Sequence, residues 1–360
     1  MPRLLQRNRR AIAGTVDAGR RACLLAQRAQ LLARHWRVDE LPAALAHAEA
    51  AVAACADLGA RAELALARGL ACYYGADVAG AAAPLAEALA LARRAGDAGI
   101  EAECQAWLGC VGATLQAEPS EVLAQLRHAL ALAEGCRPLA AARAAYVLAT
   151  LYQEAGRLDE ATARYREANR IARAERDEQL QAAVLRYMTL AQVQQARRAQ
   201  SEGRLDEALR RQTLDALLGA QRLTAALTDD EQCLQFGLRL GEVRRLGGQH
   251  HEALAAFDPL LDAAEARGLT WEAAIARADQ AACLAALGRL DEARGAAARA
   301  AAALAQVHDA YSHALVHGSL AEVAQALGDT EGARRHADES AAGWARDRAY
   351  RARLRAALDA

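Results

Sequence analysis

The hexapeptide GRLDEA stands at Gly156–Ala161 and returns at Gly203–Ala208 and Gly288–Ala293. Its residue order reads as a turn between two helices. Glycine accepts the left-handed backbone that ends a helix, where other residues suffer a β-carbon clash. The aspartate and glutamate then fall in the first turn of the next helix, where free N–H groups and the helix dipole favour negative charge. The leucine is expected to pack back between the two helices, and the alanine to sit where they cross. Such a string marks a structural joint, not a catalytic one.

Working outward, Gly156 to Gly203 is 47 residues, and Gly203 to Gly248, which opens GQHHEA, is 45. Gly248 to Gly288, and Gly288 to the Gly328 of GDTEGA, are 40 each. Steps of 40 back from Gly156 land on Gln116, Ala76 and Trp36, inside the breaks LQAEPSEV, YYGADVAG and HWRVDEL. RVDEL at Arg37–Leu41 is a near copy of RLDEA. The period predicts eight helix–turn–helix units, two of them longer. Apolar and small residues follow at helical spacing: Leu148, Ala149 and Tyr152 before one turn, Ala161, Tyr165 and Ala168 after it. Leu240, Gly241, Ala253 and Phe257 repeat the arrangement around Gly248, and Leu108 and Gly109 begin another copy. A glycine inside a helix costs about 1 kcal/mol relative to alanine, so Gly109 and Gly241 predict close approach of a neighbouring helix.

Composition agrees. Hydrophobic residues make up 54% of the 360, but only 4% are aromatic and alanine dominates, which favours closely spaced helices over one bulky core. No window alternates in steps of two, so a β-sheet is not expected. All 44 cationic residues are arginine, which excludes a Schiff-base lysine or a P-loop lysine. A net charge of −1 offers no electrostatic case for nucleic acid or membranes, and no apolar run is long enough to span a bilayer. The opening MPRLLQRNRRAIAG lacks the apolar core and cleavage site of a secretory signal. It shares arginine richness with mitochondrial transit peptides, but helical patterning begins almost at once, and the expected location is cytoplasmic. The eight cysteines (Cys23, Cys55, Cys72, Cys104, Cys110, Cys136, Cys233 and Cys283) form no CxxC pair and are expected to be reduced, small core side chains.

Leu240, Gly241, Gly248, Ala253 and Phe257, with Leu148, Gly156, Ala161, Tyr165 and Ala168, resemble the tetratricopeptide repeat, in the longer form of bacterial regulators. The resemblance implies an all-α, right-handed α-solenoid of about eight hairpins, with a concave face lined by the first helix of each. Residues 1–16 would form a basic N-terminal segment, 17–345 the repeat array, and 346–360 the basic end of a capping helix. Arginines crowd both ends: Arg3, Arg7, Arg9 and Arg10, then Arg346, Arg348, Arg351, Arg353 and Arg355. A phosphate-binding tail is one reading. A solvated cap is preferred, because Trp344, Leu354 and Leu358 can supply its buried side.

Counting along the repeat places Glu103, Arg143, Tyr146, Gln153, Arg197, Gln200, Gln235, Glu242, Arg245, Glu322 and Gln325 towards the inner face. Arginine and tyrosine are favoured at binding hot spots; the rival reading is a solvated polar stripe. The resemblance therefore implies a non-catalytic scaffold or regulatory module that binds a protein or peptide. The alternative is the sensor region of a bacterial signalling or transcription regulator, taking a small molecule or signal peptide. Chaperone-binding members of the family clamp a C-terminal carboxylate with lysine and asparagine; this chain has no lysine, and its only asparagines are Asn8 and Asn169. No cofactor is expected, and no GxSxG, HExxH or glycine-rich loop after a strand is present. Asp309, His313 and His317 stand at steps of four and share a helix face, as metal ligands do. His317 falls at a packing position and no fourth ligand is evident, so no metal is expected. His250–His251 reads as an exposed turn pair.

Overall fold

A computed structural model describes residues 3–75, 77–224, 230–307 and 309–360; the register mark at Ala76 lies outside these. All regular structure among the described residues is helical. A short helix, α1 (Arg3–Ala13), precedes eight hairpins. These are α2 (Ala18–Arg34) with α3 (Leu41–Ala53), α4 (Leu58–Tyr74) with α5 (Ala82–Ala95), α6 (Ala98–Thr114) with α7 (Pro119–Ala133), and α8 (Pro138–Glu154) with α9 (Leu158–Ala174). Then come α10 (Glu178–Ser201) with α11 (Glu207–Thr224), and α12 (Asp230–Leu246) with α13 (His250–Phe257) and α14 (Leu261–Ala266). The last two are α15 (Thr270–Ala286) with α16 (Leu290–Ala303), and α17 (Ala310–Ala326) with α18 (Thr330–Asp359). Pro259 separates α13 from α14, since proline cannot donate into a helix interior.

The turn chemistry explains the period. Gly156, Gly203, Gly248, Gly288 and Gly328 all have left-handed backbones, with φ between 66° and 84°. Trp36 (φ 47°) and Gln116 (φ 53°) adopt the same conformation without glycine, at the positions the 40-residue step marks. Each turn closes with a paired reverse bond. At the first GRLDEA, Gly156 N–H donates to Gln153 O (3.0 Å) and Arg157 N–H to Tyr152 O (2.8 Å), which satisfies carbonyls left over at the helix end. Trp36 and Arg37 donate in the same way to Ala33 and Leu32. In two of the three copies the arginine then pairs with the motif's glutamate, Arg157 with Glu160 and Arg289 with Glu292, whereas Arg204 pairs with Glu202.

The starts of the first helices obey a second rule. Asp17, Asp57, Asp97, Asp177 and Asp309 each accept the backbone N–H three residues on, at 2.7–2.9 Å. Arg137 occupies the equivalent place before α8, where Pro138 opens the helix instead.

Two expectations need correction. The motif's leucine does not pack between the helices: Leu158 is 50% exposed and Leu290 38%, with Leu205 only half-buried. Leu158 and Leu290 are the first residues of their helices and project outward, so burial passes to Ala161 and Ala293, while Ala208 in the third copy is exposed. Nor are all the cysteines core residues, since Cys136 and Cys233 are exposed. The expected close approach is present. A β-carbon on Gly241 would stand 2.3 Å from the Phe257 ring, and one on Gly109 2.6 Å from Leu126.

The chain divides into two compact units, one running to Val184 and including Leu354–Ala360, the other Leu185–Arg353. In the first, α2, α4, α6 and α8 stack in a row with the second helices against them. In the second, α12, α15 and α17 do the same. Alanine makes this possible: Ala22, Ala26, Ala48 and Ala60 form one cluster in the first unit, and Ala253, Ala276, Ala281 and Ala293 surround Phe257, Leu238 and Leu261 in the second. Each unit is thus an α-solenoid stack of hairpins. No described helix is long and apolar enough to cross a membrane.

Candidate functional site

The first helices carry almost all of the buried charge, and they carry it in register. Starts at Ala18, Leu58, Ala98 and Pro138 are 40 residues apart, so Glu63, Glu103 and Arg143 occupy one rung position on α4, α6 and α8. Arg137 reaches across these rungs. Its Nε donates to Glu103 Oε2 (2.6 Å) and its Nη1 to Glu63 Oε1 (3.0 Å). Gln27 and Gln30 of α2 also donate to the Glu63 carboxylate, at 2.8 and 2.6 Å. Burial pushes Glu103 towards the neutral form, but Arg137 and Arg143 outweigh it and hold the carboxyl below its usual range.

Further along the first unit, Arg34 at the end of α2 bonds Asp177 and Gln179, more than 140 residues away, and Gln179 Nε2 returns a bond to Arg34 O at 2.6 Å. Burial raises the Asp177 carboxyl, yet Arg34 and the Leu180 N–H together keep it below the normal aspartate value. Beside this latch runs a chain of aromatic rings. Trp36 meets Tyr74 edge-on at 4.9 Å between centroids, and Tyr74 and Tyr73 meet Trp107 at 5.7 and 5.1 Å. The Arg143 guanidinium lies 3.5 Å from the Trp107 ring centroid and donates to Tyr146 Oη at 3.1 Å.

The second unit repeats the theme. Asp279 on α15 receives Arg197 of α10, Arg245 of α12 (3.3 Å) and Ser319 Oγ of α17 (2.9 Å). Arg239 donates to Glu242 (2.5 Å) and stacks over Trp271 at 4.9 Å. Gln235 joins Arg186 (2.7 Å) to Glu272 (3.0 Å). Arg198 holds Asp347 of α18 through two bonds, at 3.0 and 3.1 Å. Burying charge is costly and is offset only where the pairing is good.

Of the residues expected on the inner face, Glu103, Arg143, Tyr146, Arg197, Gln235, Glu242 and Arg245 are buried in these networks. Gln153 is half-buried near the end of α8, and Gln200, Glu322 and Gln325 are exposed. The structure brings Arg143 to Tyr146, Arg197 to Glu242, and Arg245 to Glu322. Counting along the repeat missed Arg34, Glu63, Trp107, Arg137, Asp177, Arg239 and Asp279. A signal for some of them was present: Glu63–Glu103–Arg143 and Arg239–Asp279–Ser319 each advance by 40.

Asp309 is spent on capping α17, His313 Nε2 contacts Val307 O at 2.8 Å, and His317 Nδ1 lies 2.9 Å from His336 Nδ1 on α18. Among the described residues no three metal-binding side chains converge. His250 opens α13, with His251 exposed beside it. Trp344 is half-buried and Leu354 and Leu358 are buried.

No protein-family model matches the chain, and no curated protein does. Among solved structures, it is similar to a Rap protein complexed with competence and sporulation factor. The two share 14% identity at a TM-score of 0.60, over 93% of this chain and 99% of that one. The likeness establishes the fold: an all-α helical repeat of the tetratricopeptide type.

Proposed function

We propose that the chain is a non-catalytic regulatory module that binds an extended peptide or a protein partner along the faces of its first helices. The observation that carries this reading is the way the buried network of the second unit surfaces. Arg245, whose side chain is 7% exposed, gives one N–H to Glu322, whose side chain is 60% exposed (2.7 Å). Gln325 is exposed one turn further along the same helix. A rigid, internally paired base that ends in exposed polar groups orients hydrogen bonds without offering a loose acid or base. The Rap complex is a precedent for holding a factor on this type of fold. Buried carboxylates that an enzyme would need free, Glu63, Glu103, Glu242 and Asp279, are all engaged by arginine.

The test is selection of short peptides from a random library on the immobilised chain, followed by Glu322→Arg with Gln325→Arg. Glu322 is exposed and Arg245 keeps Asp279, so the thermal midpoint should fall only slightly while affinity falls about tenfold or more, the scale of a lost charge-assisted bond. No enriched sequence, or binding indifferent to the charge reversal, rejects the reading.

A further inference from the structure

We infer that His317 of α17 and His336 of α18 share one proton as a clasp, which holds the first turns of α18 against α17 at neutral pH and lets them go in acid. Their Nδ1 atoms are 2.9 Å apart, and the rings meet with centroids 5.2 Å apart and planes 36° apart. A neutral imidazole carries its proton on one ring nitrogen only, so one Nδ1 donates and the other accepts. The pair can take a first extra proton on the outer nitrogen of the donor ring and keep the bond. The only nitrogen left for a second is the accepting Nδ1. Once that is filled, two N–H groups and two positive charges face each other across the contact.

Helical spacing places the clasp. His336, Ser340 and Gly343 share one face of α18, and Ala314 and His317 share the facing side of α17. Ser340 Oγ donates to Ala314 O at 2.8 Å, and a β-carbon on Gly343 would stand 2.9 Å from that of Ala314. Trp344 meets Tyr311 edge-on at 5.7 Å. These fastenings are neutral and lie further from the turn. The histidines are the part of the seam that a proton can open, and they lie next to the turn.

The surrounding charges favour the neutral pair. Burial lowers His317, His336, His313 and Arg346 add to this, and Glu339 opposes it. Burial also lowers His336, with Arg335 adding to it and Asp329 and Glu339 opposing. His313 stacks beside His317, 20° from parallel, with its Nε2 on Val307 O. On the other helices packed against α17, the charged groups are engaged elsewhere. On α15, Asp279 holds Arg197 and Arg245, Glu272 holds Gln235, and Arg277 holds Glu265. On α16, Asp291 and Glu292 pair with Arg294 and Arg289, and Arg299 is exposed. Arg198 of α10 meets α18 well beyond the pair, at Asp347. A histidine held below its ordinary value contributes fully above about pH 6.5, and its contribution is lost as the pH falls towards the folded value.

The experiment has two readouts on the full chain. The first is the nitrogen spectrum of protein labelled with 15N-histidine, assigned by His317→Gln and His336→Gln. At about pH 8 one of the two rings should carry its proton on Nδ1 and the other on Nε2. Two rings both protonated on Nε2 and titrating independently overturn the proposal. The second is amide hydrogen exchange over residues 331–338, corrected for the intrinsic rate. Opening should rise about tenfold or more between about pH 7.5 and about pH 5, since one pKa unit corresponds to a factor of about ten. In His336→Gln, which keeps a neutral N–H for His317 and takes up no proton, the rise should stay within about twofold. An equal rise in the variant, or a shared proton with no rise in the wild type, overturns the release. If His336→Gln fails to fold, the wild type decides. Opening confined to the first turns of α18 supports the clasp, and an equal rise in α15 and α16 rejects it. Because α17 also carries Glu322 and Gln325, a peptide enriched on that face should leave in acid from the wild type and stay on His336→Gln. That consequence alone rests on the function proposed above. The spectrum and the exchange need no ligand, so either idea can fail without the other.

Discussion

Ser319 Oγ donates to Asp279 Oδ1 at 2.9 Å from the position 40 residues further along the chain, so two successive first helices are bonded rung to rung. Asp279 also holds Arg197 and Arg245, both buried. Asp279→Ala removes the carboxylate that two buried guanidiniums share, leaving Arg197 only Glu242 at 3.7 Å and Arg245 only the exposed Glu322, and the expected loss is about 3 kcal/mol in urea unfolding. Ser319→Ala removes one neutral donor from a carboxylate that keeps two cations, and should cost only about 1 kcal/mol.

The left-handed turns predict substitutions of opposite sign. Gly288 has φ 74°, and Gly288→Ala should cost about 1–2 kcal/mol. Arg176 is exposed, with φ 55°, so Arg176→Gly should relieve strain and raise stability by a few tenths to about 1 kcal/mol. Thermal unfolding of the two variants checks the pair.

Acid should act through Asp177. Its folded carboxyl sits below the ordinary aspartate value despite burial, because Arg34 and the Leu180 N–H favour the charged form. Its contribution is therefore complete above about pH 4, the unfolded value, and is lost as the pH falls through the lower folded value. Unfolding series between neutral and acid pH should show Asp177→Asn losing less stability on acidification than the wild type.

Glu272 should behave in the opposite sense. Burial raises its carboxyl, and Arg239, Arg186 and Gln235 offset this only in part. A raised folded pKa contributes most below the unfolded value of about 4.3 and is lost as the pH climbs through the folded value. Glu272→Gln should therefore be as stable as the wild type or more so at neutral pH. A clear destabilisation there would show that the ion pairs outweigh the burial.

The repeat was legible because its signals are local. Gly156 and Gly288 each mark a turn whose geometry depends on a few adjacent residues, and Phe257 and Tyr165 announce packing one helix away. Trp36 and Gln116 show the limit, since they take the glycine conformation with no glycine to reveal it and only the period located them. Leu158 looked apolar enough to be internal, but its place at the first residue of a helix turned it outward. The networks were hidden for a different reason. Arg34 finds Asp177, and Arg198 finds Asp347, across more than 140 residues. Local patterning identifies which helices carry polar stripes, but the path of the stack selects each partner.

Leu354–Ala360 belongs to the first unit, where Leu354 and Leu358 are buried and Arg157 donates to Leu358 O at 3.0 Å. These residues leave the ribosome only after the whole of the second unit has been made. The hairpin of α8 and α9, whose turn holds Arg157, is therefore synthesised long before the residues that close against it. A chain cut within the second unit would leave Arg157 without that carbonyl and the first unit without Leu354 and Leu358.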